Sequence, residues 1–389
     1  MIDVATVARQ TRLVFSSADP LPGSDEVRHY RQSLSALLLL DEGRTLLLGG
    51  DETVGAEPSI ERLKLQTDGS YAAHTSFAVS DFIDLPDSTK DKGRVGEIDI
   101  EGMDEDGEYL WLTGSHSCNR RRPKKDTSEQ KQIDRLAKVE RGDNRFLVAR
   151  IPLEQDDGTT GLAPEHLGRR AARLRSDWLE LLREDRHLGP FLSTFKGDAF
   201  LPGKDNGLDV EGLSVGRRED GSTRLLLGLR GPVLRGFAIV LELCPVAKGK
   251  SELALAAVPG AGGAVYRKHF LDLQGLGVRD LDLRGGDLWI LAGPTMTPSG
   301  PVSLYRWNVP FSAGDGGDTL TRSAGRGEDG PLKRELQLPF GDGKDHAESF
   351  ALLGPTGAAP REVLVLHDSP CETRLRGDTE IVADIFRLP

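Results

Sequence analysis

The chain has 389 residues, a net charge of −11, 46 glycines and 22 prolines. This acidity argues against a general nucleic-acid binder, because phosphate contacts need clustered lysines and arginines. Hydrophobic residues make up 38% of the chain and aromatic residues only 6%, which favours many short strands joined by turns over a helical bundle.

The first residues and the cysteines predict a cytoplasmic protein. Met1–Arg9 lacks the basic and apolar regions of a secretory signal, and no stretch approaches the ~18 apolar residues of a membrane span. The cysteines Cys118, Cys244 and Cys371 are widely spaced and form neither a metal-binding pair nor a disulfide framework. We therefore expect a reduced cytoplasmic protein without membrane contact.

One short pattern recurs along the chain: an acidic pair, a Glu-Gly step, a polar turn and an apolar strand. The two clearest copies are IDIEGMDEDGEYLWLTGSHS at residues 98–117 and LDVEGLSVGRREDGSTRLLLGLRGP at residues 208–232. Weaker copies cover residues 33–53, 279–295 and 346–370. Aligning the leading position of each copy selects Ser35, Glu101, Glu211, Asp282 and Glu348.

Three of the four intervals between these leading positions are 66 to 71 residues, and the second interval is 110 residues. The long interval contains a basic stretch near residues 119–140 and another stretch near residues 165–205. Within the latter, Ser176–Arg186 has apolar residues at helical spacing. We interpret both stretches as insertions into a single domain that spans residues 1–389.

Each repeat holds four strand-like runs, with Asp-Gly or Gly-Gly turns between the first two, which is the pattern of a β-propeller blade. In the first copy the runs are Leu34–Leu40, Thr45–Gly49, Ile60–Leu65 and Ala72–Val79. The last copy lacks one strand, whereas Thr11–Phe15 has no partner in the first copy. We predict an all-β propeller of five four-stranded blades, with the N-terminal strand completing the last blade and one helical insertion. Six blades are the alternative if the long interval hides another blade.

The leading residues are predicted to meet at one mouth of the central channel, because the first strand of each blade lines that channel. Crowded carboxylates repel one another unless a cation, protonation or basic groups offset their charge. Carboxylate oxygens suit Ca²⁺ or Mg²⁺. The predicted metal ligands are Glu101, Glu211, Asp282, Glu348, Asp99 and Asp209. The alternative is that these acids cap turns and bind no ion.

The second strands of the blades should end at the same mouth. Asp51, His116 and the pair His367–Asp368 follow such strands. A histidine beside a carboxylate can act as a general acid or base, or as a metal ligand. His116, His367 and Asp368 are therefore the candidate catalytic residues, although a histidine at a strand end is also a common turn residue.

Two groups of arginines are candidates for contacting an anionic ligand. Arg230 follows a strand and presents a planar fork suited to phosphate or carboxylate. An ion pair with Glu211 is the structural alternative, and the two roles are compatible. The basic stretch Arg120, Arg121 and Arg122 leaves the second strand of its blade, so we expect it to overhang the channel mouth or to form a solvated loop.

The motifs DVEGL, LLLGLRGP, DIEGM, LWILAGPT and HAESFALL carry a family resemblance. Over residues 33–389 the chain resembles a bacterial propeller family of unknown function. More remotely it is similar to the esterase-like phytase propellers, which share an Asp/Glu-Gly-apolar entry to their blades. The remote resemblance implies a phosphoesterase that uses calcium.

Two classes of function remain open. The mixture of carboxylates, histidines and arginine favours a metal-assisted hydrolase of small anionic, phosphate-type esters. The alternative is a non-catalytic propeller that binds a ligand or a protein partner. The sequence has no Gly-x-Ser-x-Gly elbow, Walker A loop, dinucleotide fingerprint or His-Glu-x-x-His helix that would indicate another chemistry.

Overall fold

Short β-strands joined by turns make up most of the chain. The computed structural model describes residues 4–20, 27–87, 95–156, 158–194, 198–218, 220–308, 317–325, 328–341, 346–355 and 358–389. The strands of the first half are β1 Val7–Val14, β2 Leu34–Leu40, β3 Thr45–Gly50, β4 Ser59–Leu65, β5 Tyr71–Ala78, β6 Ile100–Glu105, β7 Tyr109–Gly114, β8 Cys118–Arg120, β9 Val139–Arg141, β10 Val148–Asp156, β11 Thr159–Leu162, β12 Glu165–His166, β13 Arg169–Arg170 and β14 Ala172–Leu174. Those of the second half are β15 Asp209–Arg217, β16 Thr223–Leu234, β17 Phe237–Leu243, β18 Pro245–Lys248, β19 Glu252–Leu255, β20 Tyr266–Asp272, β21 Gly277–Arg284, β22 Asp287–Gly293, β23 Val302–Asn308, β24 Thr319–Thr321, β25 Leu332–Leu338, β26 His346–Leu353, β27 Glu362–Asp368, β28 Leu375–Arg376 and β29 Glu380–Arg387. The α-helices are α1 Glu129–Leu136 and α2 Trp178–Arg183.

Hydrogen bonding joins the strands of the described residues into five antiparallel runs of four. The runs are β2-β3-β4-β5, β6-β7-β10-β14, β15-β16-β17-β20, β21-β22-β23-β25 and β26-β27-β29-β1. The first strands of the runs contact one another in a ring, from β2 through β6, β15, β21 and β26 back to β2. Four-stranded sheets arranged around a central channel form a β-propeller. The prediction of an all-β propeller is confirmed, and five blades stays a prediction that this grouping supports.

The N-terminal strand completes the last run, as the sequence predicts. β1 pairs antiparallel with β29, from Val7 opposite Phe386 to Val14 opposite Glu380. Close to its end, β1 also meets β5 of the first run through Leu13 and Tyr71. One strand therefore links the last run to the first.

Apolar side chains from facing sheets form the core between neighbouring runs. Leu226 and Val240 of the third run pack in one buried cluster with Val278, Ile290 and Trp307 of the fourth run. Fully burying an aliphatic side chain of this size contributes roughly 1.5–3 kcal/mol. The alternation of such residues along each strand therefore fixes which face meets the next sheet.

Both α-helices lie in the long interval between the second and third repeats, where the sequence predicts one. α2 lies within the predicted Ser176–Arg186 and buries Trp178, Leu179 and Leu182. α1 is the unpredicted helix. It has no buried residue, and its apolar Ile133 and Leu136 are exposed. Among the described residues, no helix is long and apolar enough to cross a membrane.

Candidate functional site at the channel mouth

Every innermost strand carries a β-bulge at an equivalent place. The bulged residues are Ser35 in β2, Glu101 in β6, Glu211 in β15, Arg279 in β21 and Glu348 in β26. A bulge leaves one residue without a partner on the adjacent strand and redirects its side chain. The repeated pattern in the sequence therefore marks one bulge in each run. The bulged residues lie on the strands that line the channel.

The structure does not bring Asp282 to this ring of bulged residues. The equivalent residue of the fourth run is Arg279, three positions earlier in β21. Asp282 instead lies 3.5 Å from Arg284, measured from Oδ2 to Nη2. Aligning the repeats by their acidic residues selected Asp282, whereas the pairing of β21 with β22 places an arginine at the bulge.

Three glutamates meet in the channel. Glu101, Glu211 and Glu348 each offer a carboxylate oxygen that lies within 4.8 Å of the other two. All three residues are buried. In the described part of the chain, Oε2 of Glu211 and Oε2 of Glu348 are buried without a hydrogen-bond partner. Oxygen ligands of this kind are those that hard cations prefer, so this glutamate triad could hold a divalent metal ion.

Burial makes it costly for the glutamates of the triad to carry their charges. It raises the pKa of Glu211 to about 8, although the charges of Arg230 and Arg279 act in the opposite direction. Burial also raises the pKa of Glu101 well above its usual range, and repulsion from Asp99 and Glu211 adds to that rise. The triad therefore needs protons or positive charge to be stable.

Two arginines supply part of that positive charge. Arg230 uses its terminal nitrogens to form ion pairs with Asp209 and with Glu211. Arg279 forms an ion pair with Glu348, and its Nη1 lies 3.3 Å from Oε2 of Glu211. The contact of Arg230 with Glu211 is the ion pair that the sequence offered as the alternative to an anion clamp.

A second layer of acids surrounds the triad. Burial raises the pKa of Asp51 well above its usual range, and repulsion from Asp368 and Asp99 adds to the rise. Burial also raises the pKa of Asp368. The exposed Lys204 opposes both shifts, which places its positive charge near the two carboxyls. Arg145 forms an ion pair with Asp99 at 3.0 Å.

His116 packs in an aromatic environment. Its Nδ1–H donates to the carbonyl oxygen of Gly114 at 2.9 Å. The ring meets Phe146 and Trp178 edge-on, with centroid distances of 5.8 and 5.3 Å. Burial lowers the pKa of His116 to about 4, so the ring is neutral at neutral pH. Its described contacts include none of the three glutamates.

The structure separates the surroundings of His367 and Asp368, although they are neighbours in β27. Nε2 of His367 lies 3.9 Å from Oδ2 of Asp384 on β29, and Arg374 forms an ion pair with the same carboxylate. Asp368 belongs to the second acidic layer of the mouth. Asp368 therefore joins the charges around the triad, whereas the described ion pair of His367 is with Asp384.

The predicted basic stretch is part of a hairpin formed by β8 and β9, with α1 between them. Arg120 Nε donates to Asp205 Oδ2 at 2.7 Å, and Arg121 Nε donates to Glu140 Oε1 at 2.6 Å. The carbonyl oxygen of Arg122 accepts a hydrogen bond from Arg135. Asp205 adjoins Lys204, so the contact from Arg120 ties this hairpin to the loop that carries Lys204.

Sequence reasoning missed Arg279 and Lys204. Arg279 was missed because the repeats were aligned by their acidic residues, and the acidic residues that follow Arg279 fitted that alignment. Lys204 lies in the loop before β15, in the local sequence PGKDNG, which carries no pattern that indicates a ligand contact. Asp51 was placed at the mouth from the end of its strand, and it lies there among the other carboxyls.

Comparison with known proteins identifies a family. Residues 33–384 match the family described as "Protein of unknown function (DUF3616)", and the chain belongs to it. A search of the curated proteins found no match.

Among solved structures, the chain is similar to a GH43 β-1,3-galactosidase with galactodeoxynojirimycin (9% identity, 97% of this chain and 94% of that chain, TM-score 0.40). It is also similar to the exo-β-1,3-galactanase 1,3Gal43A from Clostridium thermocellum (10% identity, 97% and 62%, TM-score 0.39). A third similar structure is that of the RRP9 WD40 repeats (10% identity, 95% and 99%, TM-score 0.33). At these identities and TM-scores the matches indicate neither a substrate nor an activity.

Proposed function

We propose that this member of a family of unknown function is a divalent-cation-dependent hydrolase that acts on small, phosphate-type anionic esters at the mouth of its channel. The observation that carries the proposal is the triad of Glu101, Glu211 and Glu348, whose oxygens lie within 4.8 Å of one another. Two of its buried oxygens have no hydrogen-bond partner in the described part of the chain. Three carboxylates with two arginines leave a negative charge that Ca²⁺ or Mg²⁺ would offset.

The residues around the triad suit the other tasks of such a hydrolase. A cation held by the triad supplies Lewis-acid stabilisation of negative charge on the substrate. Lys204 is exposed at the mouth and can contact the anionic group of the substrate. Arg230 and Arg279 are less suited to that contact, because their terminal nitrogens already bind carboxylates.

Proton transfer falls to Asp51 and Asp368 in this proposal. Burial and repulsion from Asp368 raise the pKa of Asp51, and burial and repulsion from Glu348 raise the pKa of Asp368. A carboxyl with a raised pKa can hold a proton and exchange it with a reacting group. This assignment replaces the predicted catalytic roles of His116 and His367, whose described contacts lie outside the triad.

A second candidate function is a non-catalytic propeller that binds a ligand or a protein partner. It is favoured by the ion pairs of Arg230 and Arg279, which bind carboxylates of the protein itself. A buried network of this kind holds neighbouring sheets together whether or not a substrate is present. Propellers commonly serve as scaffolds, so the fold suits both functions.

The proposal is tested with a panel of phosphate and carboxylic esters, with and without added Ca²⁺ or Mg²⁺. We expect cation-dependent turnover of a phosphate ester, lost in Glu211→Gln and reduced through a higher KM in Lys204→Met. Glu108→Gln, at an exposed acid paired with Arg217, is the control and should keep full activity. The melting temperature should rise with the cation, and the double change Glu101→Gln and Glu211→Gln should abolish that rise.

The outcomes separate the two functions. Cation-dependent stabilisation without turnover on any ester would favour the binding propeller. Neither stabilisation nor turnover with either cation would overturn the proposal, because the triad would then be a protonated or arginine-neutralised structural network.

A further inference from the structure

A second group of reactive side chains lies outside the channel, where β1 passes from the last run to the first. Ser16 follows β1, His74 lies on β5 and Glu61 lies on β4. Nδ1 of His74 is 2.6 Å from Oγ of Ser16, and Nε2 of His74 is 2.6 Å from Oε2 of Glu61. A hydroxyl, an imidazole and a carboxylate are thus joined in series by two short hydrogen bonds.

The hydrogen bonds determine where the ring proton of His74 lies. The backbone N–H of Ser16 donates to Nδ1 of His74 at 3.2 Å. Because an N–H donor points at Nδ1, that atom accepts, and in the neutral ring Nε2 carries the proton and donates to Glu61. Nδ1 therefore has the lone pair that can take the hydroxyl proton of Ser16.

Glu61 is held in place by neighbouring hydroxyl groups. Ser76 Oγ donates to Glu61 Oε1 at 3.1 Å, and Ser59 Oγ also donates to Oε1. The side chains of Glu61 and His74 are each only 5% exposed. The carboxylate that orients the imidazole is thus fixed in the interior of the first run.

Aromatic rings fix His74 from its sides while Ser16 faces solvent. Phe15 and Tyr30 meet the imidazole edge-on, with centroid distances of 5.3 and 4.8 Å. Ser16 itself is exposed. A buried base and an accessible hydroxyl are what a nucleophilic serine requires, since the substrate approaches the oxygen while the base stays oriented.

We propose that Ser16 is the nucleophile of an acyl-transfer site for small carboxylic esters, with His74 as its general base and Glu61 as the residue that orients His74. As the Oγ–acyl carbon bond forms, the hydroxyl proton passes to Nδ1 of His74. The ester C–O bond then breaks, and the leaving alcohol takes that proton. Water attacks the acyl-serine with the help of His74, which releases the carboxylic acid and restores the hydroxyl of Ser16.

This site does not depend on the function proposed for the channel, because it needs no cation and shares no residue with the glutamate triad. A purely structural role is the competing explanation: the backbone N–H of Ser16 also binds His74 and closes the chain against β5. Ser16→Ala distinguishes the two roles, since it removes the hydroxyl and keeps the backbone hydrogen bond.

The test is covalent labelling of the full-length protein with a fluorophosphonate in the presence of a chelator. Oγ of Ser16 forms a bond to phosphorus, the P–F bond breaks, and fluoride leaves while His74 takes the proton. We expect the label on Ser16 by peptide mass mapping, none at that peptide in Ser16→Ala, and labelling slower by at least about tenfold in Glu61→Gln and His74→Gln. Circular dichroism identifies any variant that fails to fold.

The neighbouring Ser17 supplies the matched control, because it is also exposed. Ser17→Ala should label at the unchanged rate. Hydrolysis of p-nitrophenyl acetate should follow the same order among the variants. Equal labelling of Ser16 and Ser17, or labelling of Ser16 that is unaffected by folded Glu61→Gln and His74→Gln, would overturn the proposal.

Discussion

Arg279 and Glu348 occupy equivalent bulges of the neighbouring strands β21 and β26, and they form a buried ion pair with each other. Their side chains are 7% and 9% exposed. Arg279 also donates to the carbonyl oxygen of Pro294 at 3.0 Å. The fourth run, which has an arginine at its bulge, therefore supplies a positive charge to the carboxylates of the other runs.

Replacing Arg279 should strongly lower the stability of the fold. Arg279→Gln leaves Glu211 and Glu348 buried with less compensation, and removing one partner of a buried pair costs about 3–5 kcal/mol. Urea unfolding measures the loss. Added Ca²⁺ or Mg²⁺ should restore part of the stability if the glutamate triad binds the cation. The control is Arg217→Gln, at an arginine that is 44% exposed and paired with Glu108, where a change within about 1 kcal/mol is expected.

Gly102 should not tolerate a side chain. An added Cβ would lie 2.7 Å from the backbone nitrogen of Leu213 in the adjacent innermost strand, so β6 and β15 would have to move apart. We expect Gly102→Ala to lower the free energy of unfolding by about 1–3 kcal/mol. Gly142→Ala is the control, because its nearest neighbour is the Arg145 side chain at 3.6 Å, and a change within about 0.5 kcal/mol is expected. Equal losses in the two variants would contradict the close approach of the strands.

His116 should make the fold sensitive to acid. Burial lowers the pKa of His116 to about 4 in the folded state, below the ordinary value of 6.5. The unfolded chain then binds a proton that the folded chain does not, so stability falls as the pH drops from about 6.5 to 4, by on the order of 3 kcal/mol. Unfolding measured across this range should show a shallower pH dependence in His116→Asn than in the unaltered protein. Parallel pH profiles would show that His116 is protonated normally in the fold.

Glu242 should be essential to a second buried charge cluster, in the third run. Its Oε1 accepts hydrogen bonds from Arg218 and Arg224 at 2.7 Å each, and its Oε2 lies 3.0 Å from His269 and 3.6 Å from Arg267. Glu242→Gln should lower the free energy of unfolding by about 3–5 kcal/mol, because buried positive charges lose their shared counterion.

The control is Glu362→Gln, at an exposed pair with Arg9, which should change the free energy of unfolding by less than about 1 kcal/mol. Similar unfolding curves for the two variants would refute this role.

The fold could be predicted because the repeated motif has a local physical cause. The Glu-Gly step marks a bulge, and the glycine lets the next innermost strand approach closely, as Gly102 does at Leu213 and Gly212 at Leu281. Alternating apolar residues then indicate the strands that follow. The predicted Thr45–Gly49 differs from the observed β3 by one residue.

The site could be predicted only where it follows this motif. Glu101, Glu211 and Glu348 were found because each stands at the leading position of one copy of the repeated pattern. Arg279 was missed because the position of a bulge depends on pairing with the adjacent strand, which a count of acidic residues does not reveal. Lys204 is brought to the mouth by a loop, so its neighbours in space are not its neighbours in sequence.

The serine, histidine and glutamate of the second site are even harder to predict from the sequence. Ser16 comes from the segment after the first strand, whereas Glu61 and His74 come from two different strands of the first run. No spacing rule connects them, because their meeting depends on the contact between β1 and β5.

The sharing of one sheet between the first and last strands has a consequence for the order in which the protein folds. Val7 pairs with Phe386, so the hydrogen bonds of this sheet span almost the whole chain, and closing so long a loop carries the largest entropic cost of any pairing in the fold. The other four runs can form from strands that are closer in sequence. The pairing of β1 with β29 can form only when both strands are present. During synthesis, β29 emerges after the strands of the other runs, so its pairing with β1 forms only then.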